Sequence, residues 1–129
     1  MNAEVRWRLR TSENEYNDLN LAFVPKEHVV AYAACWVHSD EKRTVSLAVG
    51  NDDNCKVWLN RKLVLTGKPR TWPSAGEFVE RVELAAGWNE VLVKVSQSTG
   101  QWGFHFELMD EMACKGVEGV KVADTPPKP

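Results

Sequence analysis

The chain lacks a long apolar run, a sustained helical period and an excess of charge of one sign. No stretch of its 129 residues approaches the length of apolar sequence that crosses a bilayer as a helix, so no membrane insertion is expected. Sixteen basic residues stand against 18 acidic ones, a formal charge of -2, which leaves no electrostatic footprint for nucleic acid. Cysteine is scarce. Cys35, Cys55 and Cys114 are odd in number, so at least one thiol is unpaired and no disulfide framework is implied. Cys35 lies in a strand-like run and is expected to be a buried, inert thiol. A Cys35–Cys55 bridge is compatible with the sequence, but no spacing selects it.

Catalytic signatures are missing as well. There is no nucleophile elbow, no glycine-rich phosphate loop and no H-E-x-x-H pair. His28, His38 and His105 show no metal-ligand spacing, and His38 and His105 are expected at solvent-facing strand positions. An enzyme is the least favoured class. The first ten residues, MNAEVRWRLR, lack the apolar segment of a signal peptide. Any export signal is therefore expected outside this chain, which reads as an excised module, extracellular or periplasmic if its parent is an exported bacterial protein. VADTPPKP at the other end reads as the start of a proline-rich linker.

What is present is alternation. Val5, Trp7 and Leu9 alternate with Arg6, Arg8 and Arg10, predicting a strand with Trp7 in the core. Such alternating arginines usually keep a strand edge soluble. Residues 11–26 are polar and irregular, with one helical turn predicted near residues 15–19. VVAYAACWVHS is apolar on both faces, as a central strand buried on both sides would be. Further strands are predicted in TVSLAVG, CKVWL, KLVLT, FVERVELA, EVLVKVS and WGFHFELM. Asn60-Arg61 joins two of them as a tight hairpin, with Arg61 where glycine is usual. Either some strain is tolerated there or the loop is longer than two residues. About eight short strands with turn signals between them predict an all-β antiparallel sandwich, jelly-roll or related. It should occupy residues 1–110 as one module, with 111–129 as a tail.

KVWLNRKLV followed by VELAAGWNEVLVKVSQSTGQWGFHFELMD resembles a galactose-binding-like β-sandwich module, of the kind attached to bacterial multidomain proteins and carbohydrate-active enzymes. The family pattern is an apolar strand ending in Asn-Gly-Lys, then leucine, a spacer, Gly-x-Asn and an alternating apolar segment. Residues 57–62 and 84–95 carry the two parts, with Arg61 departing from the usual glycine. The resemblance covers roughly residues 29–110 and implies the fold more than the function. Asp52 and Asp53 are similar to the paired aspartates of protective-antigen-type lectin-like domains, where they chelate calcium that contacts sugar hydroxyls.

Calcium takes about 6–8 oxygen ligands, and adjacent side chains of an extended strand point to opposite faces. A plain polar turn at Asn51-Asp52-Asp53-Asn54 demands less, since Asn and Asp hydrogen-bond their own backbone in turns. Six tryptophans are a heavy load for this length, and an aromatic face stacks on the apolar C–H face of a pyranose. Trp102 is expected in the core and Trp88, in a turn at residues 86–89, as a lid folded onto the sandwich. Trp36 and Trp58 depend on register: if Val57, Leu59 and Val64 face the core, Trp58 faces outward beside Leu63. Trp72, in PRTWPSAG with Arg70 beside it, is either an exposed platform or a cap on one end of the core.

The function expected from these features is a non-catalytic carbohydrate-binding module. Trp72, Arg70, Trp58 and Trp36 would face the ligand, and Asp52 and Asp53 would take calcium if any ion binds. The alternatives are a domain that packs against neighbouring domains of a parent chain and a calcium-dependent, lectin-like adhesion domain.

Overall fold

The computed structural model describes residue 7 and residues 16–19, 28–52, 54–67, 78–97, 102–109 and 119–123. These residues form nine strands and no α-helix. The strands are β1 (Tyr16–Asp18), β2 (Val29–Ser39), β3 (Arg43–Asp52), β4 (Asn54–Leu59), β5 (Lys62–Thr66), β6 (Phe78–Leu84), β7 (Gly87–Gln97), β8 (Gly103–Met109) and β9 (Val120–Ala123). They pair into two antiparallel sheets, a four-stranded one in the order β1-β8-β3-β6 and a five-stranded one in the order β5-β4-β7-β2-β9. The architecture is consistent with a β-sandwich.

Period-two alternation decides which side chains are inside. On β7, Asn89, Val91, Val93, Val95 and Gln97 are buried while Glu90, Leu92, Lys94 and Ser96 are not. Cys55, Val57 and Leu59 on β4 and Val37 on β2 join them from the same sheet. Val45, Leu47 and Val49 on β3, Val82 and Leu84 on β6, and Trp102 with Phe104 fill the core from the other. Each fully buried Val or Leu contributes about 1.5–3 kcal/mol relative to exposure.

Several expectations are corrected. Residues 16–18 are not a helical turn but β1, with Tyr16 opposite His105 and Asp18 opposite Gly103 on β8. Leu19 continues it by donating its N–H to Trp102 O at 2.8 Å. Within residues 111–129, Val120–Ala123 pairs with Trp36–Ser39 as an edge strand. Trp7, expected in the core, is 70% exposed and outside any strand, while the other residues of its expected strand lie outside the described residues. Gly87, Trp88 and Asn89 open β7 instead of forming a turn; the reversal falls at Ala85-Ala86, and Gly87 at φ 92° resumes the strand.

Neither Cys35 nor Cys55 is in a disulfide. Cys35 sits opposite Val91 and Cys55 opposite Val95, on the two strands flanking β7. Strand spacing and rise place them about 16 Å apart, far beyond the ~7 Å Cα span of a disulfide. The bridge is excluded in this fold.

Asn51-Asp52-Asp53-Asn54 has a role that the turn reading did not include. Asp52 ends β3 opposite Gly103 in the four-stranded sheet, and Asn54 begins β4 opposite Ser96 in the five-stranded one. The chain changes sheets there.

Candidate functional site

The β4–β5 hairpin sets the geometry of one end of the five-stranded sheet. Asn60 at φ 50° and Arg61 at φ 69° make a two-residue turn in the left-handed region, so the tight hairpin forms despite Arg61. Three hydrogen bonds from Asn60 compensate by tying the turn to β7. Its backbone N–H donates to Glu90 O at 2.9 Å, its Oδ1 accepts from Glu90 N at 2.8 Å, and its Nδ2 donates to Asn89 Oδ1 at 2.8 Å. Asn89 is fully buried and satisfied. Its Oδ1 also accepts from Ala85 N at 2.9 Å, and its Nδ2 donates to Ala85 O at 2.9 Å and to Val37 O and Gly87 O at 3.2 Å. One amide thus holds the β4–β5 turn, the β6–β7 reversal and β2 together.

This register sends the even-numbered residues of β2, β4 and β7 to the outer face. A bulge between Val57 and Trp58 skips Val64, so Leu65 stays opposite Val57 in the core while Leu63 comes opposite Trp58 outside. Cross-strand rows follow. Leu63, Trp58, Leu92 and Ala34 form one. Thr66, Lys56, Lys94 and Tyr32 form the next on one side. On the other side Glu90 is opposite Trp36, and then Trp88 opposite His38. Tyr32, Leu63 and Trp88 are 49%, 46% and 44% exposed, and Trp36 and Trp58 are half-buried.

Trp36 and Trp58, both expected at a ligand site, therefore share one face. They lie two strands and two residues apart, about 12 Å between Cα atoms. Trp88 is not a lid on the core but stands on the same face. His38 meets it edge-on, ring centroids 5.1 Å apart at 77°, and this contact orients the indole. Trp72 and Arg70 lie outside the described residues. So does Asp53, while Asp52 contributes its backbone to β3. Among the described residues no three His, Cys, Asp or Glu side chains are grouped to hold a metal ion.

Tyr32, Lys56 and Lys94 were not singled out in the sequence, and Trp88 was expected as a lid, not on a ligand face. The signal was in VVAYAACWVHS, where Tyr32, Trp36 and His38 fall at even positions. Two-sided apolarity there suggested a strand covered on both faces. Instead β2 is buried on one face, and its aromatic positions look outward.

A cavity of about 410 Å³ lies between the sheets near β9, lined by Cys35, Phe106, Glu107, Leu108, Val120 and Val122. Its walls are mainly apolar. Burial pushes the thiols of both Cys35 and Cys55 up to about 11, so neither is a thiolate near neutral pH. The outer face, in contrast, combines flat aromatic surfaces with ammonium, carboxylate, hydroxyl and imidazole groups, the pairing that orients a polar ligand over an apolar platform. No protein-family model matches the chain, and no curated protein or solved structure is significantly similar to it.

Proposed function

We propose that this chain is a non-catalytic carbohydrate-binding module that attaches a larger protein to a polysaccharide or glycoconjugate through the outer face of the five-stranded sheet. The observation that carries the reading is the shared face of Trp36, Trp58, Trp88 and Tyr32, with Lys56, Lys94, Glu90 and His38 interleaved. Pyranose rings offer a C–H face to an indole and hydroxyls to the polar groups around it. The orders β1-β8-β3-β6 and β5-β4-β7-β2, with consecutive strands mostly in different sheets, support a jelly-roll of the galactose-binding-like kind. Affinity electrophoresis of the folded chain through gels containing neutral and acidic polysaccharides tests the reading. Retardation by at least one polymer, lost in Trp58→Ala and Trp36→Ala, is expected. A Trp72→Ala arm asks whether that residue adds to the same site, and an EDTA arm asks whether calcium at Asp52 and Asp53 takes part. Migration unchanged in every gel would sink the proposal.

A second reading rests on the apolar row Leu63, Trp58, Leu92 and Ala34, which suits packing against a neighbouring domain of a parent chain. It predicts that amide exchange in β4 and β5 slows when the module is part of its parent protein, with no retardation by any polysaccharide.

A further inference from the structure

Lys56 and Lys94 are directly opposite one another on neighbouring strands, and both side chains are on the outer face. Like charges in that position repel and destabilise the pair. Lysines on strands usually guard an exposed sheet edge, but β4 and β7 are interior strands, with β5 and β2 beyond them. Edge protection therefore gives no reason for the pair. Among the described residues neither lysine has an acidic partner; the ion pairs found there include Lys42–Glu83 at 3.3 Å and Arg43–Glu41 at 3.8 Å. The nearest outward carboxylate on β7 is Glu90, four residues from Lys94 and on the far side of the Trp58 row.

The surroundings of the pair are aromatic. Tyr32 is opposite Lys94 on β2, and Trp58 is the next outward residue after Lys56 on β4. Opposed Cβ atoms stand about 5 Å apart, which lets two ammonium groups each take one oxygen of a single carboxylate. Charge-assisted bonds of this kind are the stronger class.

We infer that the ligand of this face is a uronic-acid polysaccharide, with the carboxylate held between Lys56 and Lys94 and its ring against Trp58. This rests on the carbohydrate-binding reading and narrows it to an acidic polymer. The chain's net charge of -2 does not favour anions in general, so attraction has to come from this local pair.

The test is binding of the full 129-residue chain to polygalacturonate, alginate and glucuronoxylan. Fully methyl-esterified polygalacturonate, dextran sulfate and neutral galactomannan serve as comparisons. Binding to at least one uronate polymer is expected, weakening with salt and lost on methyl esterification if polygalacturonate is that polymer. Lys56→Gln with Lys94→Gln should weaken it roughly tenfold or more. The same double variant should melt at the same temperature or higher, because it removes a repulsion; a purely structural role would lower it. Binding to galactomannan but to no uronate overturns the inference and leaves the carbohydrate reading standing. Binding to dextran sulfate alone, or uronate binding indifferent to the lysine variants, also overturns it. No binding to any polymer overturns both.

Discussion

Asn60 Nδ2 donates to Asn89 Oδ1 at 2.8 Å, joining a surface turn to a side chain with no exposure to solvent. The two residues are 29 apart in sequence and hold the end of the sheet that carries Trp36 and Trp88. Removing one partner of a buried hydrogen bond strands the other, at about 1–3 kcal/mol per group. Asn89→Ala should therefore lower unfolding free energy by about 3 kcal/mol or more in urea titrations. Asn60→Ala should have a smaller effect. In a double-mutant cycle the two should be strongly non-additive.

Arg61 occupies a left-handed backbone conformation at φ 69°, where a Cβ is unfavourable by about 1–2 kcal/mol. Arg61→Gly should recover up to about 1 kcal/mol after the added chain entropy of glycine. A higher urea midpoint with an unchanged slope would be the observation.

Gly119 sits at φ 77°, just before β9, and accepts a hydrogen bond from Asp40 N at 3.1 Å. A Cβ there would meet Asp40 Oδ2 at 2.7 Å and Arg43 Nη2 at 2.8 Å. Gly119→Ala should loosen β9 first. Faster amide exchange at Val120–Ala123, with β7 unchanged, is the expected pattern.

Cys35 and Cys55 link stability to alkaline pH. Burial raises both thiols from 9.0 to about 11 in the folded chain. Below pH 9.0 both folded and unfolded chains keep these protons, and the contribution is complete. Between pH 9.0 and about 11 the unfolded chain loses protons that the folded chain retains, so stability should fall as pH rises. Cys35→Ala and Cys55→Ala should each flatten that fall. Thiol reagents at pH 8 should react slowly with the native chain and quickly after unfolding.

The strands with strong alternation were legible without any structure. Val45, Leu47 and Val49, and Val91, Val93 and Val95, occupy the buried face that their spacing predicts. β1 escaped because Tyr-Asn-Asp has neither length nor apolar pattern and is a strand only through β8. β9 escaped for a similar reason, since four residues gain strand structure by pairing with β2. The candidate face was half legible. Trp58 was left with two orientations because a single-residue shift reverses every side chain, and the bulge that skips Val64 is a tertiary feature. Trp88 was misread because Gly-Trp-Asn carries turn chemistry. In the structure Gly87 and Asn89 use that chemistry to begin a strand and fasten its inner face.

The central claim is that the outward tryptophans bind sugar and do not hold the fold. Binding and melting should be measured together on Trp36→Ala, Trp58→Ala and, as a core control, Trp102→Ala. Trp102 is 1% exposed, and its replacement should remove about 3–5 kcal/mol of stability. The account predicts that Trp36→Ala and Trp58→Ala melt within a few degrees of the unaltered chain and lose polysaccharide retardation. Retention of full binding by both variants, in a chain that remains folded, would contradict it.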